Sequence, residues 1–310
     1  MNLGVPLGLG SGLCWGAADF FGGIQSRRLP ALTVAFWSQA AGALALAVAL
    51  AVLGQGGARP VAVGVAWGLA AGVGSGLALV LFYRGLAEGT MSVVAPISAC
   101  GAIVPVAAAL LTGDQPGALA GAGVLAAITG VVLVSRPRPP ARAEGPGHGG
   151  PPGGERPGRS RRVLAMALGA ALGFGLFYVF VDAGTAAAAA AGGAGTGGSR
   201  SSPLWVVAGA RASSLLMLST IALVGRGSAL RWPGRRIGPV ALVGVGDTGA
   251  NLLFAYAATS GNLAVVGVLG SLYPVATVVL ARWLLGERLS GGQNAGVVLA
   301  LTGVGLLAAA

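Results

Sequence analysis

Apolar residues run along this chain in long unbroken stretches, separated by short polar or Gly/Pro-rich breaks. Ten stretches reach the roughly 20 residues that cross a bilayer core as helix. They cover 3–24, 32–53, 61–83, 91–111, 117–135, 163–183, 204–225, 238–258, 263–285 and 292–310. Continuous runs, without alternation of apolar and polar positions, specify helices and not barrel strands. The expectation is an all-α polytopic membrane protein of ten transmembrane helices, with the lipid bilayer as its solvent. One segment breaks the pattern. Residues 136–162, "RPRPPARAEGPGHGGPPGGERPGRSRR", are rich in Pro, Gly and Arg, lack apolar periodicity and predict a disordered linker. A second low-complexity stretch, 182–203, is expected to fray into a loop despite its alanine run.

The linker divides the chain into 1–135 and 163–310, and these two parts repeat each other. "GTMSVVAPIS" (89–98) recurs as "GNLAVVGVLG" (261–270), and "GDQPGALAGAGVLAAITGVVL" (113–133) as "GERLSGGQNAGVVLALTGVGL" (286–306). The offset is nearly constant, pairing Asp114 with Glu287, Gly123 with Gly296, Gly130 with Gly303 and Pro30 with Pro203. Five spans is an odd number, so the second repeat is inverted relative to the first. Inverted repeats are characteristic of secondary transporters, which bind their substrate near the midplane between the repeats.

Composition sharpens this picture. Hydrophobic residues make up 55% of the 310 and charged residues only 9%, against roughly 25% in soluble domains. The net charge of +11 does not point to nucleic acid, because the 19 basic residues, all Arg, sit almost entirely between spans. All but Arg59, Arg200 and Arg211 fall on the face that carries the linker. The positive-inside rule makes that linker face cytoplasmic and puts both termini outside the cytoplasmic (inner) membrane. Met1–Gly4 carry no basic residue, so the first run is expected to be a span and not a cleaved signal.

Catalytic alternatives find little support. Cys14 and Cys100 lie inside spans and are expected to be free thiols; the only His, His148, lies in the linker. This chain has no Ser/His/Asp set, no metal constellation, no cofactor signature and no Lys for a phosphate-binding loop. A membrane-embedded enzyme or a receptor-like protein is the alternative to a non-enzymatic transporter. Uptake into proteoliposomes separates them.

"WGAADF" in the first span, "GTMSVVAPIS" and "YPVATVVLARWLLGERLSGGQNAGVVLALTGVGLL" together resemble the EamA-type members of the drug/metabolite transporter superfamily. The resemblance covers both repeats, and "LLGERLS" is its most specific part. The first repeat departs from it, with "LLTGDQP" in place of the Gly-Glu-Arg form. The resemblance implies ten helices in two inverted five-helix repeats, a central cavity lined by helices 1–4 and 6–9, and export or exchange of a small metabolite, amino-acid-like or another small organic solute.

Ionisable residues inside spans mark pathways or pairs, since each costs about 2.5–3.5 kcal/mol to insert at helix centre. Asp247 is mid-span, with Asn251 one turn on, Thr248 beside it and Ser75 as its first-repeat counterpart. Arg211 is at a depth from which its side chain reaches Asp247, either as a packing ion pair or as part of the substrate site. Asp19 shares a helix with a ridge of Gly4, Gly8, Gly12 and Gly16 that admits a close neighbour. It pairs with Arg27 or Arg28 near the linker-face end of the span, or it is a proton-coupling or cation-substrate site at the cytoplasmic mouth; facilitated exchange without protons fits the sequence equally. Asp182 is expected at a helix end, as an interfacial residue. Trp15, Gln39, Tyr178 and Tyr273 are further cavity candidates; these aromatics and Trp37 suit interfacial anchoring as well. Pro96, Pro105 and Pro274 are the expected helix-kink and gating positions.

Overall fold

Small residues decide how these helices meet. In the computed structural model, residues 4–52, 62–111, 117–134, 157–192, 202–224, 231–260 and 273–309 are described. Among them all regular structure is helical. The helices are α1 (Gly4–Ser26), α2 (Ala31–Val52), α3 (Ala62–Glu88), α4 (Met91–Ala99), α5 (Ile103–Leu111), α6 (Ala118–Val134), α7 (Pro157–Gly192), α8 (Ser202–Val224), α9 (Ile237–Ser260), α10 (Tyr273–Leu285) and α11 (Gly291–Ala309). A 3₁₀ turn, Cys100–Ala102, joins α4 and α5 into a single broken span. Among the described residues, four helices are long and apolar enough to cross a bilayer by length and composition alone. The glycine ridge of α1 is buried along its length, while Val5, Leu9, Leu13 and Phe21 on the opposite stripe are exposed, as a lipid-facing surface requires.

Packing between the repeats follows a pseudo-two-fold. A Cβ on Gly130 of α6 would strike Gly296 and Ala300 of α11, and one on Gly303 of α11 would strike Gly123 and Ala127 of α6. These are the same contacts with the repeats exchanged. Likewise Gly72 of α3 lies against Ala210 of α8, and Gly244 of α9 against Ser38 of α2. Gly16 of α1 meets Tyr273 and Ala276 of α10, and Gly175 of α7 meets Gly101 and Val104 of the broken span. That last correspondence makes Asp19 and Tyr178 equivalents, each three residues beyond its glycine. The fold is therefore two inverted five-helix repeats, with α1 packed on α9 as α7 packs on α3.

Three boundaries differ from the sequence reading. Helix α3 runs past residue 83 to Glu88. Pro157–Arg162, expected in the linker, form the first turns of α7. Proline suits the first helical position, and α7 is tied to the end of α3, where Arg159 Nε donates to the Glu88 carbonyl at 3.1 Å and Arg162 pairs with Glu88 at 3.7 Å. The alanine run does not fray, for α7 continues to Gly192, in keeping with alanine having the highest helix propensity. Asp182 accordingly lies within α7, just past the Gly158–Val181 stretch that is long and apolar enough to cross a bilayer. The fourth span breaks at Cys100–Ala102, just before Pro105, which has no N–H to offer the Gly101 carbonyl. Pro96 is accommodated within α4, and Pro274 is the second residue of α10, where a missing N–H costs nothing. Residues 135–156, including His148, and Asp114 lie outside the described residues.

Glycine-to-valine substitution tests the packing. Gly130→Val and Gly303→Val should each lower stability by about 1–3 kcal/mol through overpacking of the α6–α11 seam. Gly121→Val, on the same helix with nothing within 4 Å of its Cβ position, should change stability far less. Thermal unfolding in detergent reads the difference.

Candidate functional site

The arginine that lies deepest inside an expected span sits where the repeats meet. Arg211 of α8 is buried, with 10% of its side chain accessible. Its guanidinium Nη2 bonds Asp247 Oδ2 of α9, and Nη1 donates to Gln39 Oε1 of α2 at 2.6 Å. Gln39 and Arg211 are equivalent positions in the two repeats, so this bond joins the two copies of one position across the pseudo-axis. Their partners diverge in the same way: Asp247 binds Arg211, while its counterpart Ser75 turns onto its own backbone at Gly72. The charge arrangement is thus asymmetric on a symmetric frame.

Glycine and threonine make the room. A Cβ on Gly42 would crowd both Thr248 Oγ1 and Arg211 Nη1. Thr248 Oγ1 donates to the Gly42 carbonyl at 3.0 Å, holding α9 against α2. Asn251 Nδ2 bonds the backbone carbonyl of Asp247 at 2.6 Å, not its carboxylate. A small cavity of about 30 Å³ lies beside the pair, lined by Leu46, Leu204, Val207, Arg211, Thr248 and Asn251. It has room for a water bonded to the guanidinium and the carboxamide.

Asp19 joins this group from α1. Ala18 lies against Gly246 of α9, which brings Asp19 and Asp247 into electrostatic reach of one another. Asp19 does not pair with Arg27 or Arg28. Arg27 instead pairs with Glu287 at 3.5 Å, and the helix carries it two turns past Asp19. Among the described residues Asp19 has no ion-pair partner, and it remains partly accessible.

Aromatic residues complete the surroundings. Tyr178 lies within electrostatic reach of both aspartates and keeps 45% of its surface accessible. Tyr273 reaches Asp19 and Tyr178 and meets Trp15 edge-on, with ring centroids 6.5 Å apart. Tyr83, which no sequence signal singled out, reaches both aspartates, meets the Ser38 side chain and packs its ring over Gly22. Trp37 is elsewhere. Its Nε1 donates to the Arg231 carbonyl at 3.2 Å and its ring meets Trp232, which makes it an anchor on the linker face. Cys14 and Cys100 are free thiols.

Comparison with known proteins bears on both repeats. The sequence pattern of the EamA-like transporter family matches residues 2–136 and 161–309. The chain belongs to that family. It is a multi-pass membrane protein and a transporter of small solutes. No curated protein matches it. A solved structure described only as the crystal structure of a protein is similar over 98% of this chain and 95% of its own, with a TM-score of 0.59 and 18% identity. That likeness concerns the fold alone.

Mutual dependence of the pair is measurable. Arg211→Met leaves the Asp247 carboxylate without its cation in a poorly solvated site, and should cost about 3 kcal/mol. Asp247→Asn should cost less, about 2 kcal/mol, because a third of that side chain is accessible. The double variant should be less destabilised than the sum, as required for residues in contact. Denaturant unfolding of the four proteins in detergent gives the coupling directly.

Proposed function

We propose that this EamA-family transporter is a secondary transporter that carries a small organic solute across the cytoplasmic membrane by alternating access, as export or exchange. The observation behind this reading is the convergence of Asp19, Gln39, Arg211 and Asp247 from α1, α2, α8 and α9, drawn from both repeats. Binding sites of inverted-repeat transporters lie at such a place. Arg211, Asp247, Gln39 and Asn251 form the polar part of the proposed site. Trp15, Tyr178 and Tyr273 offer aromatic surface to the solute.

Charge balance narrows the solute. Arg211 is engaged by Asp247 and Gln39, so the carboxylate of an amino-acid-like solute would have to displace a carboxylate already in place. Two aspartates against one guanidinium favour a neutral or positively charged group. In reconstituted liposomes, phenethylammonium should therefore compete for transport better than phenylalanine, and 3-phenylpropionate least. Dominance of phenylpropionate would contradict this charge argument.

Asp19 is the proposed proton-coupling group, being a span carboxylate without an ion-pair partner among the described residues. Pro105 marks the break in the fourth span and, with Pro96 and Pro274, is a proposed point of helix bending during gating. An imposed pH gradient should drive accumulation by the unmodified protein. Asp19→Asn should abolish that effect while sparing solute binding. Accumulation indifferent to the gradient in the unmodified protein removes the proton from the reading and leaves facilitated exchange.

Orientation follows from the arginines. The linker face is proposed to be cytoplasmic and the C-terminus outside. A C-terminal alkaline phosphatase fusion should be active and a C-terminal fluorescent-protein fusion dark; the opposite result reverses the assignment.

A further inference from the structure

The start of α4 is held by a residue from the other repeat. A helix begins with four backbone N–H groups lacking intrahelical partners. In α4, the amides of Val93 and Val94 bond the Thr90 carbonyl, each at 3.0 Å. Thr90 occupies the capping position, yet its side chain makes no cap. The first two amides go instead to Glu287: Met91 N–H donates to Oε1 and Ser92 N–H to Oε2, both at 2.9 Å. A carboxylate at a helix N-terminus also meets the favourable end of the helix dipole. The same carboxylate pairs with Arg27, just past the end of α1. One side chain, only 11% accessible, therefore joins α1, α4 and the α10–α11 turn.

The turn is built to deliver it. Gly286 ends α10 with φ +62°, a conformation that favours glycine, and the Glu287 amide folds back to the Ala281 carbonyl. Immediately beyond, Ser290 and Gln293 form a capping box: Ser290 N–H donates to Gln293 Oε1 at 3.1 Å and Gln293 N–H to Ser290 Oγ at 3.3 Å. The α11 start is thus capped by its own residues, which leaves Glu287 free to serve α4.

A second observation concerns what lies at that face. Buried polar atoms are nearly always bonded, and each exception calls for an explanation. Five buried side-chain atoms have no partner among the described residues, and three of them, Gln25 Oε1, Thr33 Oγ1 and Ser92 Oγ, belong to the linker-face ends of α1, α2 and α4. Such atoms are costly in a permanently closed face and are satisfied when that face opens to water.

We propose that Glu287 is a latch that holds the linker face of the transporter closed by bonding α4 and α1 together, and that its release exposes Gln25, Thr33 and Ser92 to water. The latch rests on the alternating-access reading, but its test requires no transported solute. The test uses the full-length protein in detergent with Cys14 and Cys100 replaced by alanine and Gln25→Cys as reporter. The rate at which a polar maleimide labels this cysteine is compared in the parent, in Glu287→Gln and in Arg27→Gln. Arg27→Gln keeps both bonds to α4 and cuts only the tie to α1, so it carries the test even where Glu287→Gln fails to fold.

A latch predicts labelling about ten times faster in each folded variant, with α4 still helical by amide exchange. A purely structural cap predicts a lower melting temperature for Glu287→Gln and unchanged labelling in Arg27→Gln; that result overturns the proposal. Transport in liposomes by a protein whose labelling is insensitive to both substitutions likewise overturns the latch and leaves the transport reading intact. Accelerated labelling in a protein that transports nothing supports the latch and overturns the transport reading.

Discussion

Backbone-to-backbone contact between helices is the constraint on which this architecture depends. In a bilayer, no hydrophobic force drives one apolar helix onto another, so close packing has to supply the association. Glycine makes this possible by removing the side chain that would hold two helices apart. Gly72 and Gly244, Gly130 and Gly303, and Gly16 and Gly175 each bring a helix of one repeat onto the other. Because they occur as equivalent pairs, the contacts fix a two-fold relationship as well as a set of distances. That relationship places α2 beside α8, with Gln39 and Arg211 facing each other.

Polar chemistry is laid over this frame unevenly. One copy of an axial position is glutamine and the other arginine; one copy of a neighbouring position is serine and the other aspartate. The frame needs small residues on both sides, and both repeats kept them. The charged pair needs only one cation and one anion, and a second set at the same axis would oppose like charges at short range. Asp19 and Tyr178 show the same division of labour, one repeat contributing a carboxylate and the other a phenol at equivalent positions.

Much of this was legible in the chain before any coordinates. Unbroken apolar runs gave the spans, and the near-constant offset gave the repeats. The depth of Arg211 and Asp247 anticipated their bond, and the spacing-four glycines of α1 anticipated its buried face. What failed had local causes. The 182–203 stretch looked like low complexity, but alanine sustains helix wherever the chain has no reason to turn, as far as Gly192. Pro157–Arg162 shared the linker's composition, and only the contacts with Glu88 reveal them as helix. Arg27 was a sensible partner for Asp19 by proximity in sequence, yet Glu287, distant in the chain, lies closer in space. Glu287 itself stood in the most specific motif of the sequence, and Ser290 with Gln293 spelled a capping box that could have been recognised there. Its bond to α4 could not, since nothing in a linear pattern says which helix start lacks a cap.

The bond between Gln39 and Arg211 has a mechanical meaning. When two inverted repeats trade conformations, each point of the molecule is displaced in proportion to how differently its two copies are arranged. In the alternating-access cycle proposed above, residues at the rim, such as those around Glu287, would travel furthest. A bond between the two copies of one position maps onto itself, so it behaves as a fulcrum. In the alternating access proposed above, the arginine at this fulcrum would stay in register with both halves of the protein while the faces opened and closed around it.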